Sequence, residues 1–210
     1  ANSVAAIPPF AYLPLLDDPF LHRRAAALWL GSKVPAARVE GISMLGPIVR
    51  KRKGGSERIH LAYLSSDFHD HATSRLIAEL FELHDKSQFE VTAISFGPNT
   101  GDSMRQRLLR AVDRFEDVQS SSDVEVARLC RDIGVDIAID LKGYTADNRW
   151  RIFAERCAPI QVSWLGYPGT MAAPFIDYIL ADQAVIEETD FEHYSEKVLW
   201  MPDSYQVNDG

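Results

Sequence analysis

Three short segments of this chain hold residues suited to acid–base chemistry or to cradling a ligand with main-chain groups. They are Ser65-Ser66-Asp67-Phe68-His69-Asp70-His71-Ala72-Thr73, Lys142-Gly143-Tyr144-Thr145 and Gly166-Tyr167-Pro168-Gly169-Thr170. In the first, His71 stands just ahead of Thr73 and Ser74, either of which is the expected N-cap of a following helix. Helix N-termini carry unpaired N–H groups and partial positive charge, which attract phosphate and keep a nearby imidazole neutral. A neutral histidine suits general-base work near neutral pH, provided an acceptor hydroxyl comes within hydrogen-bond reach. The plainer alternative is that His71 packs or caps.

Two other chemistries are poorly supported. His69, His71, Asp67 and Asp70 invite a metal reading, but four ligand types in one short loop point in different directions and no distant ligand is marked. Ser66 as a nucleophile lacks the Gly-x-Ser-x-Gly turn that exposes such a serine, and Ser65-Ser66 serves equally as a turn bonding its own backbone. The second segment follows Asp140, an acid at the end of an apolar run. An unpaired carboxylate there is costly, so it orients a partner such as His71 or bonds loop N–H groups. Gly143 permits positive φ or close approach to a ligand, Thr145 can cap a following helix, and Tyr144 is either a contact or core. In the third segment, after Trp164-Leu165, two glycines and a proline let a sugar or pyrophosphate touch main-chain groups, or simply make a turn. No Gly-x-Gly-x-x-Gly follows the first strand, and no Asp-x-Asp ends a strand to hold a metal-bound sugar nucleotide.

The elements that must position these segments alternate from residue 58 onward between apolar and amphipathic runs. Strands are expected at Ile59-Leu64, Phe89-Phe96, Arg114-Val118, Asp136-Leu141, Gln161-Leu165, Ile176-Leu180 and Lys197-Met201. Helices are expected at Thr73-His84, Asp102-Val112, Asp123-Ile133 and Arg149-Cys157. The central run Asp136-Leu141 is apolar at nearly every inner position, as in a parallel strand covered on both faces. The predicted class is α/β, doubly wound, with all three segments on the C-terminal rim of the strands, where open α/β sheets bind ligands. Residues 1–56 differ: Pro8, Pro9, Pro14, Pro19 and Pro35 punctuate them, and one helix is expected from Asp18 to Leu30, opened by Asp17, Asp18 and Pro19. They read as a Pro-rich connector, with 57–210 as the main lobe.

Composition narrows the partners. With 30 Asp and Glu against 22 Lys and Arg in 210 residues, the surface repels a phosphate backbone, so nucleic acid is not an expected partner. The basic run Arg50-Lys51-Arg52-Lys53, beside Gly54-Gly55-Ser56, reads as a solvated linker. Cys130 and Cys157 form no metal-ligand spacing, and a reducing cytosol fits them. No apolar stretch reaches the ~20 residues of a membrane span, and no signal segment opens the chain, so no membrane association is expected.

Several runs together resemble the O-linked N-acetylglucosamine transferases: Tyr63-Leu64-Ser65-Ser66-Asp67-Phe68, His71-Ala72-Thr73-Ser74, Gly143-Tyr144-Thr145, Ala158 through Thr170, and Tyr194-Ser195-Glu196-Lys197. The resemblance covers about residues 58–210, and Trp164-Leu165-Gly166-Tyr167-Pro168-Gly169-Thr170 is its most specific run. The leading segment looks like that family's connector after tetratricopeptide repeats. The resemblance implies a Rossmann-like lobe that is one half of a two-lobed GT-B-type glycosyltransferase. Such an enzyme moves N-acetylglucosamine from UDP-GlcNAc to protein Ser/Thr hydroxyls with inversion and no metal or other cofactor. It further implies His71 as the base, with a donor phosphate oxygen as the alternative proton acceptor; Asp140 joins His71 as a catalytic candidate on the carboxylate argument above. Ala72, Thr73, Gly143, Tyr144, Thr145, Leu165, Gly166, Pro168, Gly169 and Thr170 are then sugar-pocket residues. A second lobe, from the same polypeptide or another chain, is the expected partner and the source of most nucleotide contacts, so the isolated chain is expected to be inactive. Here His-Pro-Thr of the family is His71-Ala72-Thr73, and Lys142 replaces an often amidic residue, altering charge near the donor phosphates. A lipid or small-molecule acceptor, or a non-catalytic protein-binding lobe, is the alternative.

Overall fold

A helix that opens on Asp-Pro and buries one stripe of its surface leads the chain. Pro19–Lys33 (α1) begins where the Asp18 side chain accepts the Leu21 N–H at 3.0 Å, with Pro19 in the first turn as expected. The computed structural model describes residues 7–34, 45, 46, 48 and 58–209; Pro35 and the Arg50–Lys53 run lie outside them.

Among the described residues, one all-parallel sheet organises everything after α1. Its strands are Ile59–Ser65 (β1), Phe89–Ser95 (β2), Arg114–Asp117 (β3), Ile137–Asp140 (β4), Ile160–Ser163 (β5), Tyr178–Ala181 (β6) and Lys197–Trp200 (β7). They pair in the order β3-β2-β1-β4-β5-β6-β7, the expected doubly wound, Rossmann-like arrangement. Ala72–Leu83 (α2) and Ser103–Ala111 (α3) cover one face, where Ile77, Phe81 and Leu108 join Leu61, Tyr63, Val91 and Ile139. Asp123–Asp132 (α4), Arg151–Ala154 (α5) and α1 cover the other, where Val126, Phe153 and Leu30 join Ala62, Leu64, Ile94 and Ala138. Successive residues of each strand thus feed opposite cores, which is why the strands read as nearly continuous apolar runs.

The connector helix is part of the second of these cores. Ala26, Trp29 and Leu30 are buried in it, and the Trp29 ring lies 4.5 Å from Tyr144 and 6.2 Å from Trp150. One predicted helix is shortened: Arg149-Cys157 contracts to the single turn of α5. Arg156 takes φ of 56°, which ends the helix, and its guanidinium bonds Asp177 and the Pro159 carbonyl.

The strand order reverses between β1 and β4. From β1 the chain runs outward through β2 and β3, then α4 returns it to the other side of β1 and it continues to β7. The loops leaving β1 and β4 therefore diverge and open a crevice at the C-terminal edge of the sheet, where such folds bind ligands.

Candidate functional site

The loop after β1 is built from inside outward. Ser65 Oγ accepts the Asp67 N–H at 3.0 Å, turning the chain as soon as the strand ends. Arg105, 1% exposed, reaches from α3 to donate to the Phe68 carbonyl at 3.0 Å and to Ser95 Oγ at 3.2 Å, and it is paired with Asp117. The loop is thereby pinned to the end of β2. Asp102, the cap of α3, accepts the Asp70 N–H and holds its other flank.

At the crevice, the first and second loops are joined by a buried ion pair. Lys142 Nζ donates to both oxygens of Asp67, at 2.9 and 2.8 Å, with both side chains less than a tenth exposed. Ser66 Oγ adds a bond to Asp67 Oδ1 at 2.8 Å, and Thr73 Oγ1 one to Oδ2 at 3.4 Å. Burial raises the Asp67 carboxyl, but the Lys142 and Ser66 hydrogen bonds and the Lys142 charge outweigh it and hold it below the usual range.

His71 is the exposed tip of this network. Its side chain is 43% exposed, and Nδ1 lies 3.6 Å from Asp67 Oδ2. Nδ1 also accepts the Thr73 N–H at 3.2 Å, making His71 itself the N-cap of α2 in place of the expected Thr73 or Ser74. Those two hydroxyls bond Asp67 instead, Thr73 on the carboxylate and Ser74 on the main-chain oxygen. The plain reading of His71 as a cap is therefore realised, although its side chain stays 43% exposed. The metal reading fails on direction: Asp67 turns to Lys142, Asp70 to Arg75 and His71 to Thr73. Among the described residues no group of three such side chains could hold an ion.

Asp140 does not orient His71; Asp67 stands in that place. The Asp140 carboxylate, 2% exposed, accepts the Lys142 N–H at 2.9 Å through Oδ1, while Oδ2 has no partner. Beside it on β5, register partner Ser163 has an equally unpartnered hydroxyl. Burial pushes the carboxyl up to about 6, against the pull of the Lys142 and Gly143 N–H groups and the Lys142 charge. The folded protein thus keeps this proton to about pH 6, whereas an ordinary aspartate releases it near 3.8. Between those values the folded state binds more protons, so the stability owed to this group falls as pH rises, by on the order of 3 kcal/mol in full. Asp140→Asn, which keeps an oxygen for Lys142 N–H, is expected to raise stability at neutral pH by about 1–3 kcal/mol and to flatten that decline. Urea unfolding at about pH 4.5 and 7.5 checks it; a variant less stable than the parent at the higher pH would contradict it.

The third loop packs into the second. Leu165 takes φ of 69°, and a Cβ on Gly166 would sit 2.1 Å from the Leu141 carbonyl oxygen, so only glycine lets the two loops touch. Tyr167 backs onto Gly143 and lies 5.6 Å from the Tyr144 ring. Buried Glu196 binds the loop's far end, accepting from Thr170 Oγ1 and the Met171 N–H, both at 2.7 Å. Burial raises the Glu196 carboxyl although these bonds oppose it.

The three predicted segments thus meet on one rim, but their residues divide by exposure. His71 and Ala72 are exposed, and Thr145, Gly166 and Pro168 are half-buried. Tyr144 and Thr170 are both buried, and the Tyr144 hydroxyl donates to the Met171 carbonyl at 2.8 Å. Leu165, Gly143, Gly169 and Thr73 are also buried. Thr145 caps no helix; its hydroxyl donates to the Lys142 carbonyl at 2.9 Å. Lys142 offers no free charge to a phosphate, because Asp67 neutralises it. Sequence reasoning named Asp67, Lys142 and Glu196 within its runs but assigned none of them these bonds, and Arg105 stood out only as one of several charges in an amphipathic helix. Farther along the rim, an open hollow of about 520 Å³ is lined by Gln183, Ala184, Trp200, Met201, Pro202 and Asp203. It lies beyond β6 and β7, away from the reversal point.

Comparison with known proteins adds an independent line. Residues 46–210 match the profile described as glycosyl transferase family 41. The chain is 38% identical over 159 residues to a probable UDP-N-acetylglucosamine–peptide N-acetylglucosaminyltransferase of Arabidopsis thaliana, covering 76% of this chain and 16% of that protein. It is 36% identical over 154 residues to the UDP-N-acetylglucosamine–peptide N-acetylglucosaminyltransferase of Caenorhabditis elegans, covering 73% and 13%. A solved structure of an O-GlcNAc transferase mutant from Thermobaculum terrenum superimposes with a TM-score of 0.78 at 27% identity, over 91% of this chain and 36% of that one. The chain therefore spans only 16% and 13% of the length of these two curated relatives.

Proposed function

Since the chain belongs to glycosyl transferase family 41, we infer that it is the first Rossmann-like lobe of a two-lobed, inverting transferase moving N-acetylglucosamine from UDP-GlcNAc to protein Ser/Thr hydroxyls. The observation that carries this reading is the exposed imidazole of His71 in the loop after β1, which the Asp67–Lys142 pair ties to the loop after β4, itself packed against the loop after β5. A second lobe, on the same or another polypeptide, completes the cleft and supplies most contacts to the nucleotide. Tetratricopeptide repeats ahead of α1 and a cytosolic setting belong to the same reading; the latter accords with two buried free thiols. No described helix is long and apolar enough to cross a membrane.

In this reaction the acceptor oxygen attacks the anomeric carbon, the bond from that carbon to the diphosphate oxygen breaks, and UDP departs with the bonding electrons. The hydroxyl proton passes to His71 or to a donor phosphate oxygen. No metal is required in this scheme, because N–H groups and basic side chains, chiefly of the second lobe, meet the charge on the leaving diphosphate. Ala72, Thr145, Gly166 and Pro168 border the sugar, while Tyr144, Leu165, Gly169 and Thr170 shape the loops behind it.

The test is transfer of labelled sugar from UDP-GlcNAc to a Ser/Thr peptide by this chain completed with its second lobe. His71→Ala is expected to lower kcat at least about a hundredfold with donor KM nearly kept. A loss confined to donor KM would reassign His71 to substrate binding. Transfer to lipid or small hydroxyl compounds but not to peptide would replace the acceptor class, and absence of transfer from any donor would favour a protein-binding lobe.

A further inference from the structure

In a neutral imidazole one nitrogen carries the proton and the other a lone pair, and the hydrogen bond made by one decides what the other can do. A histidine that acts as a base through Nε2 is usually held by a carboxylate accepting its Nδ1–H. His71 has such a carboxylate within reach, since Asp67 Oδ2 lies 3.6 Å from Nδ1. Yet Asp67 is already occupied: Lys142 Nζ bonds both oxygens, Ser66 Oγ bonds Oδ1 and Thr73 Oγ1 bonds Oδ2. Nδ1 meanwhile accepts the Thr73 N–H at 3.2 Å. An acceptor at Nδ1 leaves the single proton on Nε2.

We propose that Lys142 and Asp67 are positioning residues which hold His71 with its proton on Nε2, so that the imidazole presents a hydrogen-bond donor, not a proton acceptor, to whatever oxygen occupies the rim. Lys142 is decisive because it comes from the loop after β4 while His71 and Asp67 come from the loop after β1, so the pair ties the imidazole's proton to the contact between the two loops. The other charged or titratable groups around His71 do not replace Asp67. Asp70 is bound to Arg75, Asp102 holds the Asp70 N–H, and the His69 ring meets His71 edge-on at 5.7 Å. The residue at position 142 thereby selects between two uses of the same histidine. An ammonium there favours the donor form, and a neutral side chain leaves Asp67 free to draw a proton onto Nδ1.

This inference rests on the reading of the rim as a sugar-nucleotide site only for its catalytic consequence, which is that of the two proton acceptors named above the donor phosphate oxygen takes the hydroxyl proton while His71 donates a hydrogen bond. It is tested on the chain itself by nitrogen-15 NMR of labelled histidine, in which the two ring nitrogens report their protonation separately. The parent is expected to show an unprotonated Nδ1 and a protonated Nε2 for neutral His71. In Lys142→Met the Nδ1 resonance of neutral His71 should move toward the protonated position, with the proton shared between Nδ1 and Asp67. Lys142→Arg, which keeps the charge, should restore the parent pattern. Asp67→Asn approaches from the other side and serves if Lys142→Met fails to fold: it removes the carboxylate within reach of Nδ1, so Nδ1 should stay unprotonated and Nε2 keep its proton. Parent-like shifts in folded Lys142→Met, or a protonated Nδ1 on neutral His71 in Asp67→Asn, would overturn the proposal. No donor or turnover enters these measurements, so a chain showing this tautomer but no sugar transfer would sink the functional reading and leave this one intact.

Discussion

Lys142→Met is expected to destabilise the folded chain by about 3–5 kcal/mol, because it strands the Asp67 carboxylate in a site less than a tenth exposed. The penalty comes from what remains rather than from what is removed. The Coulombic gain of a buried pair is largely offset by desolvating both ions, so taking away the two together costs far less than taking away one. Asp67→Asn combined with Lys142→Met should therefore recover more than half of the loss, since no charge is left unpaired and the amide oxygen can still accept from the Ser66 hydroxyl that now bonds Oδ1. Urea unfolding of the parent, both single variants and the double variant gives the coupling directly. A cost below about 1 kcal/mol for Lys142→Met would show that water reaches Asp67 and that the pair does not clamp the loops.

Gly97→Ala is the second large effect, at about 3 kcal/mol of lost stability. A Cβ there would stand 1.8 Å from the Ser66 carbonyl oxygen and 2.6 Å from its carbon. Both atoms are backbone, in a loop held by Arg105 and Asp102, so the clash cannot be relieved by rotating a side chain. For a domain of this size the melting temperature should fall by roughly 6–12 °C. Gly31→Ala in α1 is the matched control: nothing lies within 4 Å of its Cβ, and alanine there should add about 0.5–1 kcal/mol. Equal melting temperatures for Gly97→Ala and the parent would mean that the β2 end yields, and that the first loop is not pinned.

How far these features could be read from the sequence depends on whether their cause is local. The strands and α2, α3 and α4 were legible because their burial follows the periods of 2 and 3.6 within a dozen residues. Asp123–Asp132 even carries its own start signal, with Ser122 and Glu125 bonding each other's backbone. Parallel pairing then places every strand-to-helix loop on one rim, which is why the three segments could be grouped without coordinates. The cap of α2 was misassigned for a reason outside the helix: Thr73 and Ser74 are favoured cap residues, but Asp67 recruits both hydroxyls and leaves the N–H to His71. Lys142 and Asp67 are 75 positions apart, and no pattern along the chain announces their meeting. Asp140 was recognised as a costly acid, yet whether it faced His71 or its own loop was decided by which side of β4 it projects from.

The leading helix bears on how the lobe transmits force. Trp29 is wedged between Tyr144 and Trp150, and Tyr144 in turn abuts Tyr167, so an unbroken train of rings runs from α1 to the third loop. Close-packed interiors pass strain along instead of absorbing it. A pull on the amino end of α1 therefore arrives behind the rim as a displacement of these rings, with no slack coil between: the helix works as a lever keyed into the lobe, not as a tether beside it.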